Sequence, residues 1–281
     1  MSTLATKAAQ AARDIITELG IRDPADLNIE LIAAHHDLFV KYRALPGQEG
    51  HLLRGKRAGL VVVDTEALAT WKWRFVIAHE LGHFLLHEGA DQFHLCTSVD
   101  AYRWYRLSGI EAQANAFASE LLLPTTLFAP RCNIEESVDL HTISELARRF
   151  RTSLTATALG YIRHTSAPCA LVHSRAGQID WCVKTRGFLP KIKSHGVLKE
   201  DTFAAACHRG EDVPHEPLPI SAREWSGTIK ASHLTLLEHS FYIESYGAVL
   251  TWLWHEPQQE REDARMCGIP ASVFLENLAR R

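Results

Sequence analysis

Residues 74–89, RFVIAHELGHFLLHEG, constrain the fold of this chain more than any other stretch. Three titratable residues, His79, Glu80 and His83, interrupt a run that is apolar on both sides, which predicts a buried helix over about residues 71–87. A buried polar side chain costs free energy unless it is hydrogen-bonded or binds a ligand. We therefore expect this helix to carry a site.

The spacing of these residues indicates a metal. Residues four apart lie on the same face of a helix, so His79 and His83 can converge on one point. Neutral imidazoles suit zinc, and two of them form half of a tetrahedral site. Glu80 is turned about 100° round the helix, where it can reach a water at the open position and act as its general base. The alternative is a pair of histidines that only satisfies hydrogen bonds.

A catalytic zinc needs a third protein ligand. The extended histidine pattern of the metzincins is excluded, because its positions hold Leu86 and Gly89. The downstream segment GIEAQANAFASELLLP is predicted to be a helix and offers Glu111 and Glu120. We favour Glu111, because Asn115 lies on the same face and could support a histidine ligand, whereas Glu120 is expected to face solvent.

Further polar residues near the motif have open roles. His87 follows His83 by one turn and is expected to lie behind or beside the site, or to serve packing alone. The segment between the two helices is predicted to be a loop or a short irregular excursion. His94, Tyr102 and Tyr105 within it are candidates to stabilise an oxyanion, and the sequence does not choose among them.

Composition and charge argue against a nucleic-acid-binding, secreted or membrane-spanning protein. A net charge of −3 gives no overall basic field that would indicate nucleic-acid binding. The N-terminus does not resemble a secretory signal, and no apolar run approaches the roughly 18 residues that span a bilayer. The six cysteines form no CxxC pair, so we expect reduced thiols in a cytoplasmic protein.

The predicted secondary structure changes from mainly helical to mainly strand near residue 166. Helical patterns dominate before it, with short strands predicted at LFVKYR and RAGLVVVDT and a loop between them that contains Pro46, Gly47 and Gly50. After it, CALVHSRAGQIDWCVK predicts two strands about a short turn, and SFYIESYGAVLTWLWHE is again strand-like. With 281 residues, one large domain or two to three smaller ones are expected, and the helical and β-rich parts are expected to pack together.

RFVIAHELGHFLLH followed by EAQANAFASELLLP resembles the ImmA/IrrE-type metallopeptidases, firmly over about residues 25–165. The resemblance implies zinc ligands His79, His83 and Glu111, with Glu80 catalytic. It also implies an α+β fold of three parts: a zincin-like metallopeptidase domain at 1–138, a helix-turn-helix-like segment at 139–166 and a β-rich, GAF-like sensor domain at 167–281.

The best-known members of that family cleave a helix-turn-helix repressor. The resemblance therefore implies a zinc endopeptidase that relieves repression of stress-response or mobile-element genes. Mn²⁺ or Fe²⁺ could replace Zn²⁺ in a site of two histidines and one carboxylate. The rival interpretation is a ligand-sensing regulator that binds protein or DNA and has a non-catalytic metal site.

DNA contact would have to come from the segment ISELARRFRTSLTATALGYI, which resembles a helix-turn-helix. Its arginines could touch phosphates, and a solvated helix face is the alternative. Arg151 occupies the place where a turn glycine is usual, which weakens the DNA interpretation. The arginines concerned are Arg148, Arg149, Arg151 and Arg163.

Overall fold

The computed structural model describes residues 3–88, 93–96, 109–133, 138–226 and 234–255. The fold is α+β, as predicted, with helices and two sheets. Two compact units are present: the first comprises Met1–Cys132 and Ile143–Gly160, and the second comprises Asn133–Thr142 and Tyr161–Arg281. The division into three parts at 1–138, 139–166 and 167–281 stays a prediction.

Five α-helices of the described residues lie wholly in the first unit. They are α1 (Thr3–Glu18), α2 (Ile29–His35), α3 (Lys72–Leu86), α4 (Gly109–Leu122) and α5 (Thr125–Phe128). Helix α4 packs against both α1 and α3. The two helices that were predicted around the metal motif, α3 and α4, are thus direct neighbours.

A four-stranded sheet completes the first unit, in the order β1-β3-β2-β4. Its strands are β1 (Leu38–Arg43), β2 (Gly50–Arg54), β3 (Gly59–Asp64) and β4 (Phe93–Cys96). Strands β1 and β3 are parallel and match the two predicted strands, while the other pairs are antiparallel. The prediction was wrong at β2 and β4, which lie in segments expected to be loops.

Close packing of α3 on α4 depends on Gly82. A Cβ atom at this position would come within 3.1 Å of the Phe117 ring and 3.2 Å of the Ala114 Cα. Glycine therefore allows the two helix backbones to approach closely. The approach brings the first turn of α4 over the histidine face of α3, and Ile77, Leu81 and Phe117 fill the interior beside it with no exposed surface.

Helices α6 (Leu140–Phe150) and α7 (Leu154–His164) are separated at the predicted break. Arg151 adopts a positive φ of 54°, a conformation that usually favours glycine. Thr152 and Thr157 are buried, and their hydroxyls lie 2.7 Å apart across the start of α7. Whether this pair of helices binds DNA stays a prediction.

Five antiparallel strands form the sheet of the second unit, in the order β6-β5-β9-β8-β7. They are β5 (Cys169–Arg175), β6 (Gln178–Lys184), β7 (Leu218–Ser221), β8 (Thr235–Ile243) and β9 (Ala248–Trp254), and the short helices α8 (Phe203–Arg209) and α9 (Ala222–Trp225) accompany them. The predicted β-rich C-terminal region is confirmed, and its likeness to a GAF domain stays a prediction.

Within the part of the chain that the structure describes, every helix is too short or too polar to span a bilayer. The four cysteine side chains that are described there are free thiols, namely Cys132, Cys169, Cys182 and Cys207.

One face of the second sheet contains a buried carboxylate. Glu238 is 1% exposed and accepts hydrogen bonds from the Ala204 backbone N–H at 2.7 Å and from Trp225 Nε1 at 2.8 Å. The hydroxyl of Ser240 donates a third at 3.0 Å. Burial raises the pKa of Glu238 to about 7, although all of these donors favour the charged form.

This raised pKa makes the stability of the second unit depend on pH. Because the native carboxyl holds its proton more tightly than the unfolded one, the stabilisation is present at low pH and is lost as pH rises from about 4.5 to about 7. We expect a loss of about 3 kcal/mol over that range, measured by urea unfolding. Glu238→Gln should flatten this dependence, and the exposed Glu145→Gln should keep it. Equal slopes in parent and Glu238→Gln would contradict the assignment.

Candidate metal centre

The three residues selected as metal ligands come together in the structure. His79 and His83 are 3% and 1% exposed, and their Nε2 atoms lie 3.0 Å apart. Glu111 reaches them from the first turn of α4, with Oε2 at 3.3 Å from His79 Nε2 and Oε1 at 3.1 Å from His83 Nε2. The three side chains form a group that could hold a metal ion, with ligand atoms within 4.8 Å of one another.

These separations fit the edges of a metal tetrahedron. Bonds of about 2.0–2.1 Å at tetrahedral angles place the ligand atoms about 3.3 Å apart, which agrees with the three distances above. Among the described residues, these three side chains leave one corner of such a tetrahedron without a protein ligand. The donor set therefore suits a catalytic rather than a closed structural site.

Hydrogen bonds behind the histidines orient both rings. His79 Nδ1 lies 2.9 Å from Asn115 Oδ1, so its N–H donates to that carbonyl and the Nε2 lone pair points at the site. His83 Nδ1 lies 3.1 Å from Nδ1 of His87. Nε2 of His79 is therefore left to accept a cation, and Nε2 of His83 is left so in the tautomer whose Nδ1–H donates to His87.

Asn115 contacts His79 and His87 contacts His83, in each case at the ring nitrogen that faces away from Glu111. Sequence reasoning missed Arg54, at the end of β2. Its guanidinium donates to the carbonyls of His83 and Phe84, at 2.8 and 2.9 Å. These carbonyls are near the end of α3, and that of His83 also accepts from the His87 backbone N–H at 3.1 Å. Nothing in the sequence pattern links Arg54 to the motif, because the contact spans about thirty residues.

The charges at the site support one another. Burial opposes ionisation of Glu111. When His79 and His83 carry protons on Nε2 in place of a metal ion, these N–H groups donate to the carboxylate and hold its pKa far below the usual range. Burial also opposes protonation of His79, yet its hydrogen bond with Glu111 and the carboxylates of Glu80 and Glu111 raise the pKa of this imidazole. The carboxylate of Glu111 is therefore ionised and faces two nitrogens, as a ligand must.

Glu80 is fully buried on α3, directly after the first histidine. Its carboxylate is close enough to raise the pKa of His79. A carboxylate with no exposed surface is costly to ionise unless the surroundings carry positive charge or donate hydrogen bonds. Its role as a general base stays a prediction.

Glu120 is held away from the site, so the choice of Glu111 for the cluster agrees with the geometry. The expectation that Glu120 faces solvent was wrong. Its carboxylate accepts from the backbone N–H and the hydroxyl of Thr125, both at 2.9 Å, and pairs with Arg13 at 3.3 Å. Through these contacts Glu120 links the end of α4 to α5 and α1.

The candidates for oxyanion stabilisation and for DNA contact lie away from the metal cluster or outside the described residues. Tyr102, Tyr105 and the side chain of His94 lie outside the described residues. Arg148, Arg149 and Arg163 are exposed, and Arg151 is half-buried. Arg149 pairs with Asp23 at 3.6 Å, and contacts of these arginines with DNA stay a prediction.

Removing the hydrogen-bond acceptor behind one histidine should lower the metal affinity without abolishing binding. Asn115→Ala takes away the acceptor that fixes the tautomer and direction of His79, so we expect metal affinity to fall by about 10–100-fold. Competition with a chromogenic chelator measures this fall. Gln113→Ala, on the same helix, is the control and should bind as the parent does. Unchanged affinity in Asn115→Ala would contradict a supporting role.

Comparison with known proteins agrees with this geometry. Residues 33–159, which include all three clustered residues, match the IrrE N-terminal-like domain of the Peptidase_M78 family. No curated protein sequence matches the chain. A solved structure of a Mycobacterium tuberculosis transcriptional regulator is similar with a TM-score of 0.55 and 15% identity, covering 89% of this chain and 76% of that one. At this identity the likeness concerns the fold alone. Residues 33–159 therefore form an IrrE N-terminal-like domain, which places that part of the chain in the ImmA/IrrE family.

Proposed function

We propose that this protein is a zinc-dependent endopeptidase that cleaves a helix-turn-helix transcriptional repressor. His79, His83 and Glu111 would hold the metal, and Glu80 would act as the general base. The observation that carries the proposal is the set of three ligand atoms at tetrahedral spacing with a buried carboxylate beside them. A purely structural site would have no use for that carboxylate.

Zinc, when bound, supplies a Lewis acid that polarises the scissile carbonyl and makes a water more acidic at neutral pH. The protein supplies the rest. Asn115 and His87 fix the orientation of the two imidazoles, and Glu111 would balance part of the charge of the cation. Glu80 takes the proton of the attacking water and passes it to the leaving amine. Its buried position keeps bulk water from competing for that proton.

Two observations support a regulatory substrate. Membership of the ImmA/IrrE family implies a peptidase domain, and the similar Mycobacterium tuberculosis protein is called a transcriptional regulator. A peptidase with a role in transcription acts most directly on a DNA-binding protein. We therefore propose a helix-turn-helix repressor encoded beside the gene for this chain as the first substrate to test.

Metal removal tests the proposal as a whole. The purified full-length chain, loaded with zinc, should cleave that repressor at a defined bond. Dialysis against a chelator should abolish cleavage, and added Zn²⁺ should restore it, because the two imidazoles and Glu111 lose the cation that they share. Mn²⁺ or Fe²⁺ that restored more activity would assign a different metal. A chain that binds the repressor with full metal occupancy and cleaves nothing would favour the rival function, a regulator that acts by binding.

A further inference from the structure

Arg54 contacts the C-terminal end of α3, in the turn that contains the proposed ligand His83. It is the last residue of β2, and its side chain is half-buried. One end of the guanidinium donates to the His83 carbonyl at 2.8 Å, and the other donates to the Phe84 carbonyl at 2.9 Å. Because the guanidinium is planar and rigid, two bonds to neighbouring carbonyls fix the direction of this turn as well as its position.

The Phe84 ring packs between Arg54 and the sheet. Cζ of Arg54 lies 4.8 Å from the centre of this ring, which is the distance of a cation–π contact. Arg54 pairs with Gly59 across β2 and β3, and a Cβ atom at Gly59 would come within 2.8 Å of the same ring. The end of α3 therefore lies close against the sheet where glycine leaves room, and Arg54 holds it there.

The carbonyl of His83 links Arg54 to the residue behind the ligand. It accepts from the His87 backbone N–H at 3.1 Å as well as from Arg54. His87 is the C-cap residue of α3, and its ring contacts Nδ1 of His83 at 3.1 Å. A shift of this one carbonyl would therefore move both the ligand and the ring that orients it.

The position of His83 in α3 makes an external contact important. His79 lies in the middle of the helix, whereas His83 is in its last turn, which ends at Leu86. The last turn of a helix has fewer intrahelical hydrogen bonds than the middle and opens more easily. A metal site requires its ligands to be held within about 0.5 Å of the productive geometry. A strand residue that fixes this turn can meet that requirement.

We propose that Arg54 is a positioning residue, which holds His83 in the geometry for metal binding through the carbonyls at the end of α3. The inference rests on the proposed metal site and not on the identity of the substrate. The positive charge of Arg54 cannot favour a metal directly, because like charges repel. Removal of the charge alone would strengthen metal binding, and removal of the hydrogen bonds should weaken it. The two effects have opposite signs, so a measurement can separate them.

Arg54→Met tests the role of the hydrogen bonds. Methionine keeps an unbranched apolar stem that can pack on Phe84, but it has no donor. We expect zinc affinity to fall by about 10–100-fold, the range for residues that support a metal ligand. Competition between the full-length chain and a chromogenic chelator measures the affinity. Conditions in which each variant is fully folded are used, because a loss of stability alone then leaves the affinity unchanged.

Two further variants separate the hydrogen bonds from charge and from general anchoring of the helix. Arg54→Lys keeps the charge, but one ammonium group does not match two carbonyls as the guanidinium does. Its zinc affinity should therefore lie between those of the parent and Arg54→Met, and this variant carries the test if Arg54→Met does not fold. Lys72→Met removes a cation that pairs with Glu49 at the other end of α3. It should lower the unfolding midpoint and bind zinc as the parent does.

Co²⁺ bound in place of zinc gives a readout that a purely structural role would not change. Its visible absorption depends on the geometry of its ligands. At full loading, Arg54→Met should give bands of altered position or intensity, because His83 is no longer held in place. Lys72→Met should give the spectrum of the parent.

The outcomes separate this inference from the peptidase function. Zinc binding by Arg54→Met as tight as that of the parent, or tighter, would overturn the positioning role alone. An equal loss of affinity in Lys72→Met would also overturn it, since any loosening of α3 would then weaken the site. A parent chain that takes up no metal would overturn the metal site together with this inference. A parent that binds zinc and cleaves nothing would contradict the peptidase function, and weaker binding by Arg54→Met would still support the positioning role.

Discussion

Glu80→Gln is expected to lower the rate of repressor cleavage by at least about a hundredfold while zinc stays bound. Glutamine keeps the size of the side chain and its capacity for hydrogen bonds, but it cannot take a proton. Proton transfer by a positioned side chain contributes about 10²–10⁴-fold to rate, and here one carboxylate serves both the water and the leaving amine. The three clustered ligands are untouched, so metal content and fold should match those of the parent.

The measurement is single-turnover cleavage of the repressor at equal zinc occupancy, with binding followed separately. Glu88→Gln is the control, because this exposed glutamate lies just past the same helix and should cleave as the parent does. Should Glu80→Gln relieve repression in cells as well as the parent, proteolysis is not the mechanism, and the binding function replaces it.

The helix that carries the site could be predicted because its signals are local. Polar residues at i and i+4 in an apolar run fix both the helix and the face on which they meet, and α3 ends within one residue of the prediction. The choice of Glu111 over Glu120 also followed from helical geometry, since the two lie about half a turn apart round α4. The partner of Glu120 could not be predicted, because Arg13 lies more than a hundred residues away in the chain.

Strand pairing escaped prediction for a different reason. Strand β2 is half-buried on alternating positions and follows a glycine-rich turn, so its five residues resemble a loop. It becomes a strand because β3 and β4 both pair with it. In the second unit, the two hairpin strands after residue 168 were clear from their alternation. The order β6-β5-β9-β8-β7 depends on contacts between distant segments, which local patterns do not encode.

The burial of two polar residues in the second unit could not be predicted for the same reason. Glu238 and His239 are neighbours in an alternating strand, where one would expect one face to be solvated. Both are buried because elements from far along the chain cover the two faces of the sheet: the Glu238 face is closed by α8 and α9, and the His239 face by the segment that contains Leu140. The raised pKa of Glu238 and the lowered pKa of His239 are caused by that burial, which the neighbouring sequence does not reveal.

Glu111→Ala is expected to lower zinc affinity by more than about a hundredfold, the upper end of what loss of an outer-shell partner costs. This carboxylate is the one acidic side chain of the cluster, and its removal would leave two neutral imidazoles, which hold a dication weakly. Competition against a chelator of known affinity measures the change, and cleavage should be lost with the metal.

Glu120→Ala is the matched control on the same helix. It loses the contacts with Arg13 and Thr125, so its unfolding midpoint should fall, yet it should bind zinc as the parent does because its carboxylate is held away from the histidines. A lower stability with unchanged metal affinity in Glu120→Ala, beside the reverse in Glu111→Ala, separates the ligand from the structural contact. If Glu120→Ala lost zinc and Glu111→Ala kept it, the wrong carboxylate has been assigned to the metal.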